Sequence, residues 1–293
     1  MRKGIILSGG TGSRLFPCTT AVSKQLLPVF DKPMIFYSLS VLMMAKIKEI
    51  LIITNEENIY SYKKLFNNGD NLGIKIFYEK QDKPSGIAEA LLIGKKFLNN
   101  SPCALILGDN IFYGNHFEKL LTKANKNKKN TIFAYRVKNP ENYGVVKLNK
   151  NNQPIKIIEK PKKNISDLAV TGLYFYDEKS SSYASKIKPS KRGELEITDL
   201  NNIYLKKKKL DVQLLPEGFT WFDAGTYDGL LEASMYVNSI QKRQNKMIAC
   251  LEEIALNHKW INKIQLKKRI YQFKKSGYAN YLHKLLKLKF PYK

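Results

Sequence analysis

Gly4-Ile5-Ile6-Leu7-Ser8-Gly9-Gly10-Thr11-Gly12-Ser13-Arg14-Leu15 joins a short apolar, β-branched run to a turn with three glycines. The run reads as a buried strand. Glycines directly behind it let the backbone bend sharply and turn N–H groups toward an anion. Arg14 adds a planar fork of donors that matches phosphate oxygens. The spacing excludes the two commonest phosphate loops. A dinucleotide fingerprint needs glycine where Leu15 stands, and a Walker A loop begun at Gly9 needs Gly-Lys where Arg14 and Leu15 stand. The segment therefore predicts a strand followed by an anion-binding turn of another kind, with a merely flexible turn as the alternative.

Outward from this strand, apolar runs alternate with helical patterns. Strand-like Ile50 to Thr54, Ile74 to Tyr78 and Ala104 to Leu107 are interleaved with helix-like Met34 to Ala45, Asn58 to Phe66, Ile87 to Phe97 and Phe117 to Ala124. Repeated βα units imply an α/β fold, a Rossmann-like mixed, mainly parallel sheet with helices on both faces. After Asn130 the rhythm changes to turn-separated strands at Thr131 to Val137, Tyr143 to Leu148, Ile155 to Glu159 and Val170 to Tyr176, which predicts antiparallel additions. From Tyr227 the pattern is helical, ending in an amphipathic stretch with Tyr278, Leu282, Leu285 and Leu286 on one face. That stretch reads as a packing or subunit-contact element, with a membrane-surface helix as the alternative.

Ligands of such sheets sit beyond the carboxyl ends of the strands, and three residues outside the glycine turn are placed to matter there. Asp109 directly follows the apolar run Leu105-Ile106-Leu107, and Asp223 follows Trp221-Phe222. Each is either a turn or helix-capping residue or a magnesium ligand, since Mg²⁺ prefers one or two carboxylates completed by water and phosphate oxygen. Lys24, in Ser23-Lys24-Gln25-Leu26-Leu27-Pro28, is either a solvated lysine or a cation held near the glycine turn.

Taken in order, the G-G-x-G-x-R-L turn, S-K-Q-L-L-P, L-G-D-N, Tyr143-Gly144-Val145-Val146, Glu159-Lys160-Pro161, Val170-Thr171-Gly172, Gly193 to Asp199 and Trp221-Phe222-Asp223 resemble the sugar nucleotidyltransferases, and among them the glucose-1-phosphate thymidylyltransferases. The resemblance runs nearly the full length, through Glu252 to Ala255 and Lys259 to Ile261. It implies thymidylyl transfer from dTTP to glucose 1-phosphate, the first step of dTDP-L-rhamnose synthesis, by a cytoplasmic homotetramer with Mg²⁺ as cofactor. Gly9, Gly10, Thr11, Gly12 and Arg14 would hold the triphosphate, Lys24 would bridge phosphates at the reacting centre, and Asp109 and Asp223 would carry the metal. Gln81 and Gly86 would read the base. Asn110, Tyr143, Gly144, Glu159 and Val170 would line the sugar pocket, and Lys160 would fix the sugar phosphate. Arg14, Lys24 and Lys160 are the catalytic set so implied. Residues 1–240 would form the nucleotidyltransferase domain, with sugar-binding strands inserted at about 130–225, and 241–293 a helical subunit-contact or regulatory segment. Three positions depart from the family pattern: Ile87 stands for the usual leucine beside the base. Near Tyr113 and Gly114, where relatives bind a regulatory nucleotide sugar, Glu118 and Leu251 stand for a frequent histidine and proline.

Composition limits the alternatives. The 293 residues are 43% hydrophobic, with 11 prolines, which is ordinary for a globular chain. No stretch approaches the roughly 18 to 20 apolar residues of a membrane span. Cys18, Cys103 and Cys250 are odd in number and widely spaced, which predicts free thiols in a reducing compartment. Fifty Lys plus Arg against 25 Asp plus Glu give a net charge of +25. A polyanion-binding protein is therefore a rival reading, but the lysines are spread along the chain, no nucleic-acid module is recognisable, and aromatics are sparse among the basic runs.

Overall fold

The computed structural model describes residues 1–287. From β1 (Lys3–Leu7) the chain passes through a two-residue ladder, β2 (Pro28–Val29) with β3 (Lys32–Pro33), into α1 (Ile35–Met44) and β4 (Glu49–Thr54). α2 (Ile59–Phe66), β5 (Lys75–Lys80), the short helices α3 (Glu89–Ile93) and α4 (Lys95–Leu98), and β6 (Cys103–Leu107) follow. These strands form a parallel core in the order β6-β1-β4-β5. The single helix read over Ile87 to Phe97 is broken at Gly94, where a Cβ would lie 2.8 Å from Cδ1 of Ile5. Glycine there lets the helical segment approach β1.

Neighbouring residues of β1, β4 and β6 face opposite sides, and both sides are buried, whereas the edge strand β5 is exposed on one side. Ile6, Ile52 and Ile106 pack with Phe36 and Leu39 of α1 on one face, whereas Ile5, Ile53 and Leu105 pack with Leu91 and Tyr174 on the other. Continuous apolar runs rather than alternation are what a sheet covered on both faces requires. Burying each such side chain contributes about 1.5–3 kcal/mol.

The second half begins with β7 (Asn110–Tyr113), α5 (Phe117–Lys126), β8 (Asn130–Arg136), β9 (Gly144–Leu148), β10 (Pro154–Glu159) and β11 (Leu168–Tyr176). β11 is buried throughout and runs antiparallel to β6, β8 and β9. It welds the expected antiparallel additions onto the parallel core. α6 (Ser180–Ala184), α7 (Ile197–Lys206), β12 (Leu210–Leu214) and β13 (Thr220–Asp223) come next. The first three carry weak local patterns, and the sequence reading assigns them no element.

The chain ends in α8 (Tyr227–Gln244), α9 (Leu251–Asn257), α10 (Lys263–Phe273) and α11 (Gly277–Lys287). Leu282 and Leu285 are buried against Leu266 and Ile270 of α10, with Tyr278 and Leu286 packed around them, so the amphipathic face of the tail is covered within the chain. α9 ties this hairpin to the main core through Leu251 and Ala255. Residues 288–293 of the expected C-terminal segment lie outside the described residues. Among the described residues no helix is long and apolar enough to cross a membrane, and all three cysteines are free.

Candidate active site

The core order places the loops after β1 and β6 side by side. β1 has β4 on one flank and β6 on the other, so the connections leaving β1 and β6 diverge at this point, where α/β sheets open a ligand crevice. Leu7 pairs with Leu107, and the Gly108 N–H donates to the Leu7 carbonyl at 2.9 Å. The glycine turn and Asp109 therefore leave the sheet at one edge. Gly10 and Gly12 hold φ of 99° and 63°, in the left-handed region where a side chain is strained. Asn55 and Thr19 brace the turn by donating to the carbonyls of Gly10 and Gly12. Thr11 and Arg14 remain exposed.

Lys24 reaches this edge. Its Nζ lies 2.5 Å from Oδ2 of Asp109, with both side chains largely buried. Behind it a buried hydroxyl chain links the two loops: Tyr62 OH lies 2.5 Å from Ser8 Oγ and 2.9 Å from Ser23 Oγ. Burial pushes the Asp109 carboxyl up, but the Lys24 ammonium and a hydrogen bond from Asn110 outweigh it and hold the carboxyl below its ordinary range.

Asp223 arrives from over 100 residues away by strand pairing. β13 runs antiparallel to β7 with Asp223 opposite Asn110, and the Ala224 N–H donates to the Asp109 carbonyl at 3.0 Å. Thr226, not Asp223, caps α8 by accepting from the Gly229 N–H. The Arg14 guanidinium sits beside Asp223 across Gly225, where a Cβ would meet Arg14 Nη2 at 2.8 Å and Asp223 Oδ1 at 2.9 Å. Burial and then the nearby Asp109 charge raise the Asp223 carboxyl, against the pull of Lys24 and Arg14. Two carboxylates in mutual repulsion, both hard oxygen donors, suit a divalent cation. Among the described residues no third acidic or imidazole ligand joins them, which fits an ion completed by phosphate oxygens rather than a closed protein site.

Asn110 fixes this arrangement. Its Oδ1 accepts from the Gly172 N–H at 2.9 Å and Trp221 Nε1 at 2.7 Å, so its Nδ2 is the end that turns to Asp109, at 3.1 Å. Beside it opens a cavity of about 170 Å³ whose lining includes Tyr143, Gly144, Glu159, Lys160, Val170 and Asp223. All of the residues expected in the sugar pocket meet here. Lys160 adopts φ 42° while its N–H donates to the Tyr143 carbonyl, and it makes no ion pair among the described residues. Glu159 Oε2 accepts from Thr198 at 2.6 Å, and its Oε1 lies 3.6 Å from Arg192. Gln81 lies against Gly9 of the glycine turn. Gly86, at φ 105°, packs directly against the Leu195 backbone, and Ser85 and Ala88 bond to Leu195.

Sequence reasoning missed Arg192 and Thr198, which line the cavity from a loop and a helix start. Both fall near the quoted Gly193 to Asp199 motif, the one local signal that could have pointed to them. A second cavity, about 960 Å³, is lined by Tyr113, Gly114, Glu118, Lys123, Lys246 and Ile254 among others, away from both aspartates.

Comparison with known proteins agrees with this geometry. Residues 3–240 match the nucleotidyl transferase family. The chain is 51% identical to the glucose-1-phosphate thymidylyltransferase of Neisseria meningitidis serogroup A, covering 97% of this chain and 99% of that protein. It is 47% identical to that of Xanthomonas campestris pv. campestris, covering 98% and 97%. A solved Bacillus anthracis protein described as a glucose-1-phosphate thymidylyltransferase, in complex with a sucrose, superposes with a TM-score of 0.74 at 41% identity, covering 80% of this chain and 95% of that one. A UDP-glucose pyrophosphorylase solved with UDP-glucose gives 0.73 at 26% identity, covering 83% and 99%. The chain belongs to the nucleotidyl transferase family and, within it, to the glucose-1-phosphate thymidylyltransferases.

Proposed function

We propose that this chain transfers the thymidylyl group of dTTP to α-D-glucose 1-phosphate, forming dTDP-glucose and pyrophosphate. The observation that carries the reading is the meeting of Lys24, Asp109, Asp223 and Arg14 at the switch point of the sheet, next to a small cavity lined by Glu159 and Lys160. The close relatives supply the choice of base and sugar.

Asp109 and Asp223 would hold Mg²⁺, which when bound supplies neutralisation of triphosphate charge. The glycine turn and Arg14 bind the phosphates through backbone N–H groups and the guanidinium. Lys24 exchanges its bond to Asp109 for a phosphate oxygen. Lys160, with Arg192 nearby, holds the phosphate of the sugar, while Glu159 accepts hydrogen bonds from sugar hydroxyls. A phosphate oxygen of the sugar attacks the α-phosphorus in line, a new P–O bond forms, and the bond to the β-phosphate oxygen breaks to release pyrophosphate. The nucleophile is ionised at neutral pH, so no side-chain base is needed; alignment and positive charge carry the step.

Incubation with Mg²⁺, dTTP and glucose 1-phosphate, followed by chromatography, should yield dTDP-glucose, and Asp109→Asn should lose turnover without unfolding. No product from demonstrably folded protein refutes the reading. The free thiols suit a reducing cytoplasm. The larger cavity is our candidate for the regulatory nucleotide-sugar site, with the lysines lining it as partners for phosphates. Homotetramer assembly, as an expectation from relatives, is checked by sedimentation.

A further inference from the structure

Gln81 and Glu89 form a polar relay that the reaction scheme does not use. Glu89, the first residue of α3, accepts through Oε2 from two donors: the Ser85 backbone N–H at 3.1 Å and Gln81 Nε2 at 2.6 Å. A backbone N–H can only donate, and an ionised carboxylate can only accept. The polarity of the relay is therefore set from Ser85 outward, and the Gln81 amide has one orientation open to it. Its nitrogen faces Glu89, and its carbonyl oxygen lies against Gly9 of the phosphate turn, 1.9 Å from where a Cβ on Gly9 would stand. Gln81 is almost wholly buried, and its own N–H is tied to the Thr54 carbonyl at 2.8 Å, which fixes where the side chain sits; exchange of the two amide ends needs no extra volume, so the bond to Glu89 is what decides which end faces which side.

We propose that Glu89 is a positioning residue that sets nucleobase selectivity: by locking the Gln81 amide it presents a carbonyl acceptor to the base, admitting a pyrimidine with N3–H and rejecting cytosine. This rests on the assignment of Gln81 as the base reader. Thymine and uracil carry a donor at N3 and a carbonyl at C4, which the second Gln81 N–H can meet. Cytosine carries an acceptor at N3 and an amino group at C4, so both contacts are mismatched. An unlocked amide would flip and satisfy cytosine equally well. A site built to hydrogen-bond its ligand rejects a mismatched analogue by about 10⁴-fold or more, whereas a freely flipping amide discriminates little.

The test compares dUTP with dCTP, which differ only in the edge that the amide reads, by kcat/KM at saturating glucose 1-phosphate. Wild type should prefer dUTP by about 10³-fold or more, and Glu89→Ala should cut that ratio at least tenfold. The KM for glucose 1-phosphate should stay unchanged. Glu89→Gln should restore the ratio, because its carbonyl must still face the Ser85 N–H and so still accepts from Gln81. A general loosening of the loop would lower both nucleotides together and leave the ratio intact, which overturns the proposal. Should Glu89→Ala fail to fold, judged by thermal unfolding, Glu89→Met keeps the volume without the acceptor and is read the same way. Gln81→Leu separates the two layers. If it leaves the ratio unchanged, Gln81 is not the base reader and the premise falls. If it abolishes the ratio while Glu89→Ala does not, Gln81 reads the base unaided and the role of Glu89 is refuted.

Discussion

Replacing Gly9 by alanine tests the site with one methyl group. Gly9, unlike Gly10 and Gly12, does not occupy the left-handed region, so the backbone accepts alanine without strain. The new Cβ would instead stand 1.9 Å from Gln81 Oε1 and 3.0 Å from its Cδ. Ordinary contact needs about 3.5 Å, so the amide must retreat by about 1.5 Å. Oε1 is the end of a flexible side chain, so the protein should still fold, with its Tm lowered by several degrees for the lost bond to Glu89. The retreat breaks the 2.6 Å bond from Gln81 to Glu89 and removes the amide from the base. The two amide contacts to the base, at about 0.5–1.5 kcal/mol each, together contribute about 1–3 kcal/mol. Their loss corresponds to a fall of about 5- to 150-fold in kcat/KM for dTTP. The assay is pyrophosphate release with dTTP varied at saturating glucose 1-phosphate, repeated with glucose 1-phosphate varied, whose KM should move little. A variant within threefold of wild type for dTTP refutes the reasoning, because it means that the amide yields without consequence for the nucleotide.

Asp223→Asn should abolish most turnover yet stabilise the metal-free protein. Because the folded carboxyl titrates above its unfolded value of about 4, ionisation opposes folding, and this cost grows as pH rises through the unfolded value toward the folded one. The advantage of the variant in denaturant titrations with chelator present should vanish below about pH 4 and widen above it; a variant less stable than wild type at pH 7 contradicts this. Arg269→Met strands Glu252, which is 0% exposed and among the described residues is otherwise bonded only to Tyr278, and should cost about 3–5 kcal/mol. Scanning calorimetry should show a Tm fall of at least about 5 °C with turnover at 25 °C retained, and a shift under about 2 °C would count against the pair as an anchor of α10 and α11. Removal of divalent cations by chelation should stop turnover and added Mg²⁺ should restore it; activity that persists in excess chelator argues against metal ligation by the two aspartates.

Most of the parallel core could be read directly because its signals are local. A run such as Ile50 to Ile53 is apolar at every position because both faces of its strand are covered, and that demand is written into consecutive residues. The failures follow the same logic. Gly94 interrupts a helix for the sake of Ile5, 89 positions earlier, and no helical pattern records that contact. β7 is four residues long and exists as a strand through pairing with β13. Arg192 is one basic residue among fifty until the fold sets it beside Glu159 and Glu196.

The sequence by itself determined the glycine turn, its place behind a buried strand and the residue types gathered around it, because backbone freedom and strand burial are properties of neighbouring residues. Tertiary structure alone decided that Lys24 pairs with Asp109, that Asp223 joins them through the register of β13 on β7, and that Gln81 turns its nitrogen to Glu89 and its oxygen to Gly9. Each of these depends on groups brought together across long stretches of chain, and on which partner can only donate or only accept. Such choices are made by the packed geometry and leave no periodic trace in the sequence.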